Sequence, residues 1–234
     1  MKTTIVLPVY NEEAQLESSI SKLVSFLGKN KKDYQIVIAD NASIDNTEKI
    51  GLQLEKKYPL LLKYRRIPVK GKGIALRTVW KEAQTPFLCF MDIDLSTDIN
   101  SLPKLVDGLK NGYDIVIGSR HMSESKIKRS LFREILSRGY NFIIKSLFNT
   151  KINDMQCGFK GCSRDTFLQL EPFILDNEWF FDTELLMVGE KKGFKILEVP
   201  VKWTEDPNSK VKLINTVKNF LIKSYKLRKR LEKI

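Results

Sequence analysis

The chain has 234 residues, 42% of them hydrophobic, and a formal charge of +12 from 40 Lys and Arg against 28 Asp and Glu. That length and apolar content suit a globular core rather than a disordered chain. No uncharged run reaches the roughly 18 apolar residues a membrane-spanning helix needs, and no secretory leader pattern opens the sequence, so a cytoplasmic protein is expected. Cys89, Cys157 and Cys162 make neither a disulfide framework nor a zinc pattern and are read as reduced structural thiols.

Apolar runs and helix-like stretches alternate from the first residues onward. "TTIVLPVY" reads as a strand, Glu12 to Leu27 as a helix, "YQIVIAD" as a strand, and Asn46 to Tyr58 as a helix. A strand near Leu61 to Arg66 follows, then a helix after "KGKG", the strand "PFLCFMD", a helix near Leu102 to Leu109, and the strand "YDIVIGS". Serial βα units of this kind build an α/β fold around a parallel sheet with right-handed crossovers. Ligands in such sheets bind beyond the carboxyl ends of the strands. Pro8, Tyr10, Asn11 and Glu12, then Asp40, Asn41 and Ser43, then Asp92 and Asp94, then Ser119 and Arg120 are therefore expected to face one crevice. No repeat or Gly/Ser linker divides the chain, so residues 1–234 read as one domain.

In "CFMDIDLSTDIN" a strand ends in Asp92 and Asp94, two residues apart and so on one face of the extended chain. Like charges at that spacing repel and are costly to desolvate, so a cation is expected beside them. Mg²⁺ or Mn²⁺ suits, since few protein carboxylates hold it and water and phosphate oxygens complete its shell. Asp98 is assigned to capping the next helix. "VKGKGIALR" places two glycines, two lysines and an arginine at a helix start, where free N–H groups and the helix dipole attract anions. It lacks the Walker spacing and reads as a diphosphate contact through the neighbouring carboxylate pair.

The ordered motifs "VLPVYNEE", "ADNASIDNT", "GKGIALR", "MDIDLSTD", "GSRH" and "DMQCGFK" resemble those of family 2 glycosyltransferases with the GT-A fold, over nearly the whole chain. "DMQCGFK", "WFFDTELL" and "VPVKWTEDPNSKVKL" are most similar to the polyprenyl-phosphate sugar transferases of that family, the dolichyl-phosphate glucosyltransferase branch above all. The resemblance implies a mostly parallel central sheet flanked by helices, with residues 1–120 as the nucleotide-sugar half, 121–207 as the acceptor half and 208–234 as a basic amphipathic tail. It implies that Pro8, Tyr10 and Glu12 border the base and ribose of the donor and that Asp40 accepts a hydrogen bond from the base. Lys72 and Gly73 lie on the donor side, and Asp92 and Asp94 match the D-x-D that coordinates the divalent ion bridging the donor diphosphate.

Arg120, Arg133 and Ser137 match an acceptor-phosphate site, and Ser209 and Lys210 a lid over the donor pyrophosphate. Asp182 stands where relatives that glycosylate hydroxyls place a general base. With Glu184 it is read as a site-floor residue that touches the sugar or positions a basic side chain. Asn41 replaces an Asp found in many members. Ser96 replaces the Gln frequent in mannose transferases, which points toward glucose.

The implied activity is transfer of glucose from UDP-glucose to a polyprenyl phosphate with inversion. An anionic acceptor needs no strong base, so geometry and charge carry the catalysis. That acceptor lies in a bilayer, and two segments are expected to hold the chain peripherally on the anionic inner face of the membrane. Phe132, Leu136, Tyr140, Ile143 and Leu147 recur at helical spacing between Ser130 and Phe148. The tail from Asn208 carries nine Lys and Arg against one Glu, with Leu213, Val217, Phe220, Leu227 and Leu231 at similar spacing.

A charge of this sign also suits nucleic acid, but no RRM or zinc-finger pattern accompanies it, and no nucleic-acid partner is expected. Transfer to a sugar hydroxyl of a surface polysaccharide is the competing reaction. A nucleotidyltransferase would need a Gly-rich basic signature after the first strand, which "VLPVYNEE" lacks. His121 is read as a loop residue, and Trp179 and Trp203 as pocket or core.

Overall fold

The computed structural model describes residues 2–206 and 213–233. The predicted strands form as β1 (Thr3–Val9), β2 (Tyr34–Asn41), β3 (Leu62–Ile67), β4 (Phe87–Met91) and β5 (Ile115–Ser119). Between them lie α1 (Leu16–Leu27), α2 (Thr47–Lys57), α3 (Lys72–Glu82) and α4 (Leu102–Lys110). Beyond β5 come β6 (Lys126–Lys128), α5 (Leu131–Phe148), β7 (Phe159–Ser163), α6 (Arg164–Leu170) and α7 (Phe181–Lys191). β8 (Ile196–Pro200), β9 (Lys202–Thr204) and α8 (Leu213–Leu231) complete the order.

The main sheet runs β3-β2-β1-β4-β7-β5-β8. Its neighbours are parallel except β7, which enters antiparallel between β4 and β5. This single reversal departs from a purely serial βα reading, and it brings "GFK" of β7 against "CFM" of β4. β6 and β9 form a separate short parallel pair, and Thr97 bridges Trp203 beside it.

The central strands are continuous apolar runs because helices cover both faces. Successive side chains point to opposite faces. Val6, Leu88, Phe90, Ile115 and Ile117 thus join the core under α3, α6 and α7, while Ile5, Leu7, Cys89, Met91 and Val116 join the core under α1 and α4. All three cysteines are buried and unpaired. Among the described residues no helix is long and apolar enough to cross a membrane.

The tail corrects one expectation. Phe220, Leu227 and Leu231 are buried in the protein, with the Phe220 ring 5.7 Å from those of both Tyr140 and Phe180. The apolar stripe of α8 is thus largely satisfied by α5 and α7, because the alternative was to leave core aromatics uncovered. α5 behaves differently. Tyr140 and Ile144 face inward, whereas Leu131, Phe132, Ile135, Phe142 and Ile143 are exposed, Leu131 at 81% and Phe142 at 71%.

Candidate active site

The crevice is assembled by backbone reversals just past the ends of β1, β2 and β4. Asn11, Ala42 and Leu95 there adopt left-handed backbone with φ of 56°, 61° and 51°, a costly conformation that persists where surrounding structure enforces it. The first two loops enforce each other: the Asn11 amide donates to Ser43 Oγ at 2.9 Å, and Asn11 Oδ1 accepts from the Ile44 amide at 2.9 Å. Asn41 ties in a third segment, donating to the Val9 carbonyl and accepting from the Gly71 amide. The Asp-to-Asn departure thus serves a bridge between loops.

Pro8 lies within β1 opposite Ala39. Tyr10 presents its ring to Lys70, whose Nζ is 3.8 Å from the centroid. Glu12 accepts from Gln15 Nε2 at 2.6 Å, while its amide donates to Thr47. Asp40 is fully buried and accepts from the Ser43 amide at 2.8 Å and from Tyr64 Oη at 2.5 Å, with Arg66 3.5 Å away. Burial and this carboxylate together push the Tyr64 hydroxyl pKa well above its usual value.

β4 ends at Met91, so Asp92 and Asp94 do not share a face of an extended strand as expected but flank a turn in which the Leu95 amide donates to the Asp92 carbonyl at 3.2 Å. The Asp94 carboxyl is pushed up to about 6 by burial and by the neighbouring charge of Asp92, against hydrogen bonds from Ser96. Asp92 Oδ1 accepts from Lys72 Nζ at 2.9 Å. A Cβ on Gly158 would overlap the Asp92 carboxylate, so the absence of a side chain there lets that carboxylate keep its place. Asp98 accepts from the Asn100 amide, the local capping role expected of it.

The start of α3 corrects the expectation of free N–H groups. The Gly73 and Ile74 amides donate to the carbonyls of Glu178 and Asn177, each at 3.0 Å, and the absence of Cβ at Gly71 and Gly73 lets that segment close over the helix end. The cation that reaches the carboxylate pair from this side is the Lys72 side chain. Its ammonium lies 3.4 Å from Asp182 Oδ2 and near the faces of Phe90 and Trp179. Asp182 is 1% exposed, and its other oxygen accepts from the fully buried Lys160 at 2.7 Å. Glu184 accepts from the amides of Leu175 and Asp176 and pairs with Arg230 of α8. It braces a loop and the tail helix.

Across the crevice stands a basic cluster. Arg120 and Arg129 both approach the Trp203 ring, at 5.5 and 5.9 Å. Arg120 is gripped by buried Asp154, and Arg133 pairs with Glu205 at 2.5 Å. Arg129 and Arg138 share Glu134. Ser137 Oγ lies 3.3 Å from His121 Nε2, so His121 joins the cluster rather than an indifferent loop. Burial lowers the His121 pKa; Asp154 opposes this, and the charges of Arg120, Arg129 and Arg138 reinforce it. The structure therefore gathers Arg120, Ser137 and His121, with Arg129 and Asp154 as participants that spacing could not reveal. Ser209 and Lys210 lie outside the described residues.

Residues 4–170 match the family described as Glycosyl transferase family 2. The chain is similar to dolichyl-phosphate beta-glucosyltransferase of Dictyostelium discoideum, 34% identical over 89% of this chain and 68% of that one. The Saccharomyces cerevisiae protein of the same name is 31% identical over 92% and 71%. Glycosyltransferase AglD of Haloferax volcanii is 32% identical over 93% of this chain, which spans 35% of AglD. Among solved structures, glucosyl-3-phosphoglycerate synthase of Mycobacterium tuberculosis, crystallised with Mn²⁺, UDP and phosphoglyceric acid, superposes with a TM-score of 0.72 at 19% identity, covering 97% of this chain and 78% of that one. The chain thus belongs to glycosyl transferase family 2 and is a glycosyltransferase with the GT-A fold.

Proposed function

We propose that the protein transfers glucose from UDP-glucose to a polyprenyl phosphate at a membrane surface, with inversion and with Mg²⁺ or Mn²⁺. The donor is supported by relatives named dolichyl-phosphate beta-glucosyltransferase and by a fold neighbour crystallised with Mn²⁺ and UDP-glucose. The observation that carries the acceptor is the state of Asp182. At the position of a general base for hydroxyl acceptors it is buried and held by two lysines, which suits an acceptor that arrives already ionised.

Asp92 and Asp94 fit a divalent ion. Two adjacent carboxylates, one of them raised in pKa by its neighbour, gain from a shared cation. Among the described residues no group of three or more His, Cys, Asp or Glu converges on an ion, and two protein carboxylates suffice for Mg²⁺ or Mn²⁺. Bound there, the ion supplies charge neutralisation to the departing nucleoside diphosphate.

The chain's own groups do the rest. Lys72 reaches Asp92 Oδ1 and offers a second positive charge to the diphosphate. Arg120, whose Nε and Nη2 are taken by Asp154, keeps Nη1 for an acceptor phosphate, and Arg133, paired through Nε with Glu205, adds positive charge beside it. They place the acceptor oxygen behind the anomeric carbon, opposite the leaving group, which gives inversion. One catalytic unit, with donor half 1–120 and acceptor half 121–207, is supported by the pairing of β4 with β7.

The approach to the bilayer is supported by the exposed side of α5, where Leu131, Phe132, Ile135, Phe142 and Ile143 form an apolar face. Exposed Lys218, Lys226, Arg228 and Lys229 of α8 add charge attractive to anionic lipid. The test of the donor is a radiolabel panel pairing UDP-glucose, UDP-GlcNAc, UDP-galactose and GDP-mannose with polyprenyl phosphate, with and without Mg²⁺ or Mn²⁺. Metal-dependent label transfer from UDP-glucose is expected; preferential transfer from GDP-mannose would overturn the donor assignment.

A further inference from the structure

Four charges alternate from the buried interior out to the half-exposed carboxylate of Asp92. Lys160 Nζ donates to Asp182 Oδ1 at 2.7 Å, Asp182 Oδ2 is 3.4 Å from Lys72 Nζ, and Lys72 Nζ is 2.9 Å from Asp92 Oδ1. Lys160 also donates to the Cys157 carbonyl at 2.6 Å and has no exposure to solvent. Two lysines buried to this extent are costly unless each meets an anion. Two carboxylates against two ammonium groups balance them.

The balance has a consequence for the metal. Asp92, one of the two carboxylates available to an ion, already carries a cation. Lys72 can leave Asp92 without being orphaned, because Asp182 and the faces of Phe90 and Trp179, 4.7 and 5.1 Å from Nζ, remain around it. Lys160 donates to both the Cys157 carbonyl and Asp182 and so anchors the carboxylate that holds Lys72.

We propose that Lys72 is the resident cation of the unloaded carboxylate pair, positioned there by Lys160 through Asp182, and that it opposes a divalent ion entering alone while favouring one that enters with a nucleoside diphosphate. The ion displaces Lys72 from Asp92, and the diphosphate oxygens give the displaced ammonium a new partner. No bond is made or broken; one ion pair is exchanged for another. The inference rests on the reading of Asp92 and Asp94 as the metal pair, and is independent of the acceptor.

The test is Mn²⁺ binding to the full chain, followed by the electron paramagnetic resonance signal of the free ion, without nucleotide and with saturating UDP. Wild type should bind Mn²⁺ weakly alone and much more tightly with UDP. Lys72→Met should tighten binding of Mn²⁺ alone by about ten-fold, as expected when a competing cation is removed from half-exposed Asp92, and should shrink the gain given by UDP. Lys160→Met should move both readouts in the same direction by less. Lys81→Met is the control for charge alone, since Lys81 lies in the last turn of α3, paired with Glu171 and outside this chain of contacts, and it should leave both readouts unchanged.

Lys72→Gln serves if the methionine variant does not fold. Equal or weaker binding of Mn²⁺ alone by the Lys72 variants, or an equal gain from Lys81→Met, would overturn the inference while leaving the metal reading intact. Failure of wild type to bind Mn²⁺ even with UDP would overturn both.

Discussion

Arg120 and Asp154 form a closed pair: the guanidinium Nε and Nη2 donate to the two oxygens of one buried carboxylate at 2.7 and 2.8 Å, and the Arg120 amide adds a third bond at 2.9 Å. Burial alone would raise the Asp154 pKa, but the charge and hydrogen bonds of Arg120 more than offset it and hold the carboxyl well below its usual range. A carboxyl depressed on folding stabilises the native state above its unfolded pKa, roughly 4, and loses that contribution as pH falls toward the folded value. Asp154→Asn should therefore cost about 3–5 kcal/mol at pH 7 by leaving Arg120 buried without its counter-charge. Urea melts from pH 7 to pH 3 should show a shallower decline in the variant than in wild type. Parallel declines would show that the pair contributes little.

Gly158 faces Asp92 so closely that no side chain fits between them. Gly158→Ala should push the carboxylate aside and lower kcat by about 100-fold, the scale of a displacement near 1 Å in a catalytic group, with little change in Tm because half-exposed Asp92 can move into the crevice. An unaltered kcat would show that the position of Asp92 is not limiting.

Phe220 lies against Tyr140 and Phe180 in the core. Phe220→Ala should lower stability by about 3–5 kcal/mol in the absence of any lipid. Denaturation unchanged by the substitution would return α8 to the role of a detached membrane anchor.

Ile135 and Phe142 project from α5, at 68% and 71% exposure. The double change Ile135→Glu, Phe142→Glu should leave thermal unfolding within a few degrees of wild type, since surface substitutions cost little, and should sharply reduce sedimentation with anionic vesicles. Undiminished sedimentation would move the docking surface elsewhere.

Much of this was legible in the sequence because strand ends are local signals. Asp40 lies at the end of β2, and Asp92, Asp94 and Arg120 lie just beyond β4 and β5, as the alternation of apolar runs with helices indicated. What stayed hidden depends on contacts between distant segments. Lys160 and Asp182 are 22 residues apart, and Arg120 and Asp154 are 34 apart. β7 joins the sheet against the direction of its neighbours, which periodicity does not encode. The amphipathic pattern of α8 was read correctly, but such a pattern does not say whether lipid or protein covers the apolar side.

The acceptor decides the matter most directly. Purified protein supplied with radiolabelled UDP-glucose and Mn²⁺ should be offered, in parallel, a polyprenyl phosphate and the corresponding polyprenol without its phosphate. Label should pass to the phosphate alone, and Asp92→Ala should abolish the transfer. Equal labelling of the alcohol, or transfer to a free sugar hydroxyl with the lipid phosphate left untouched, would contradict the proposal.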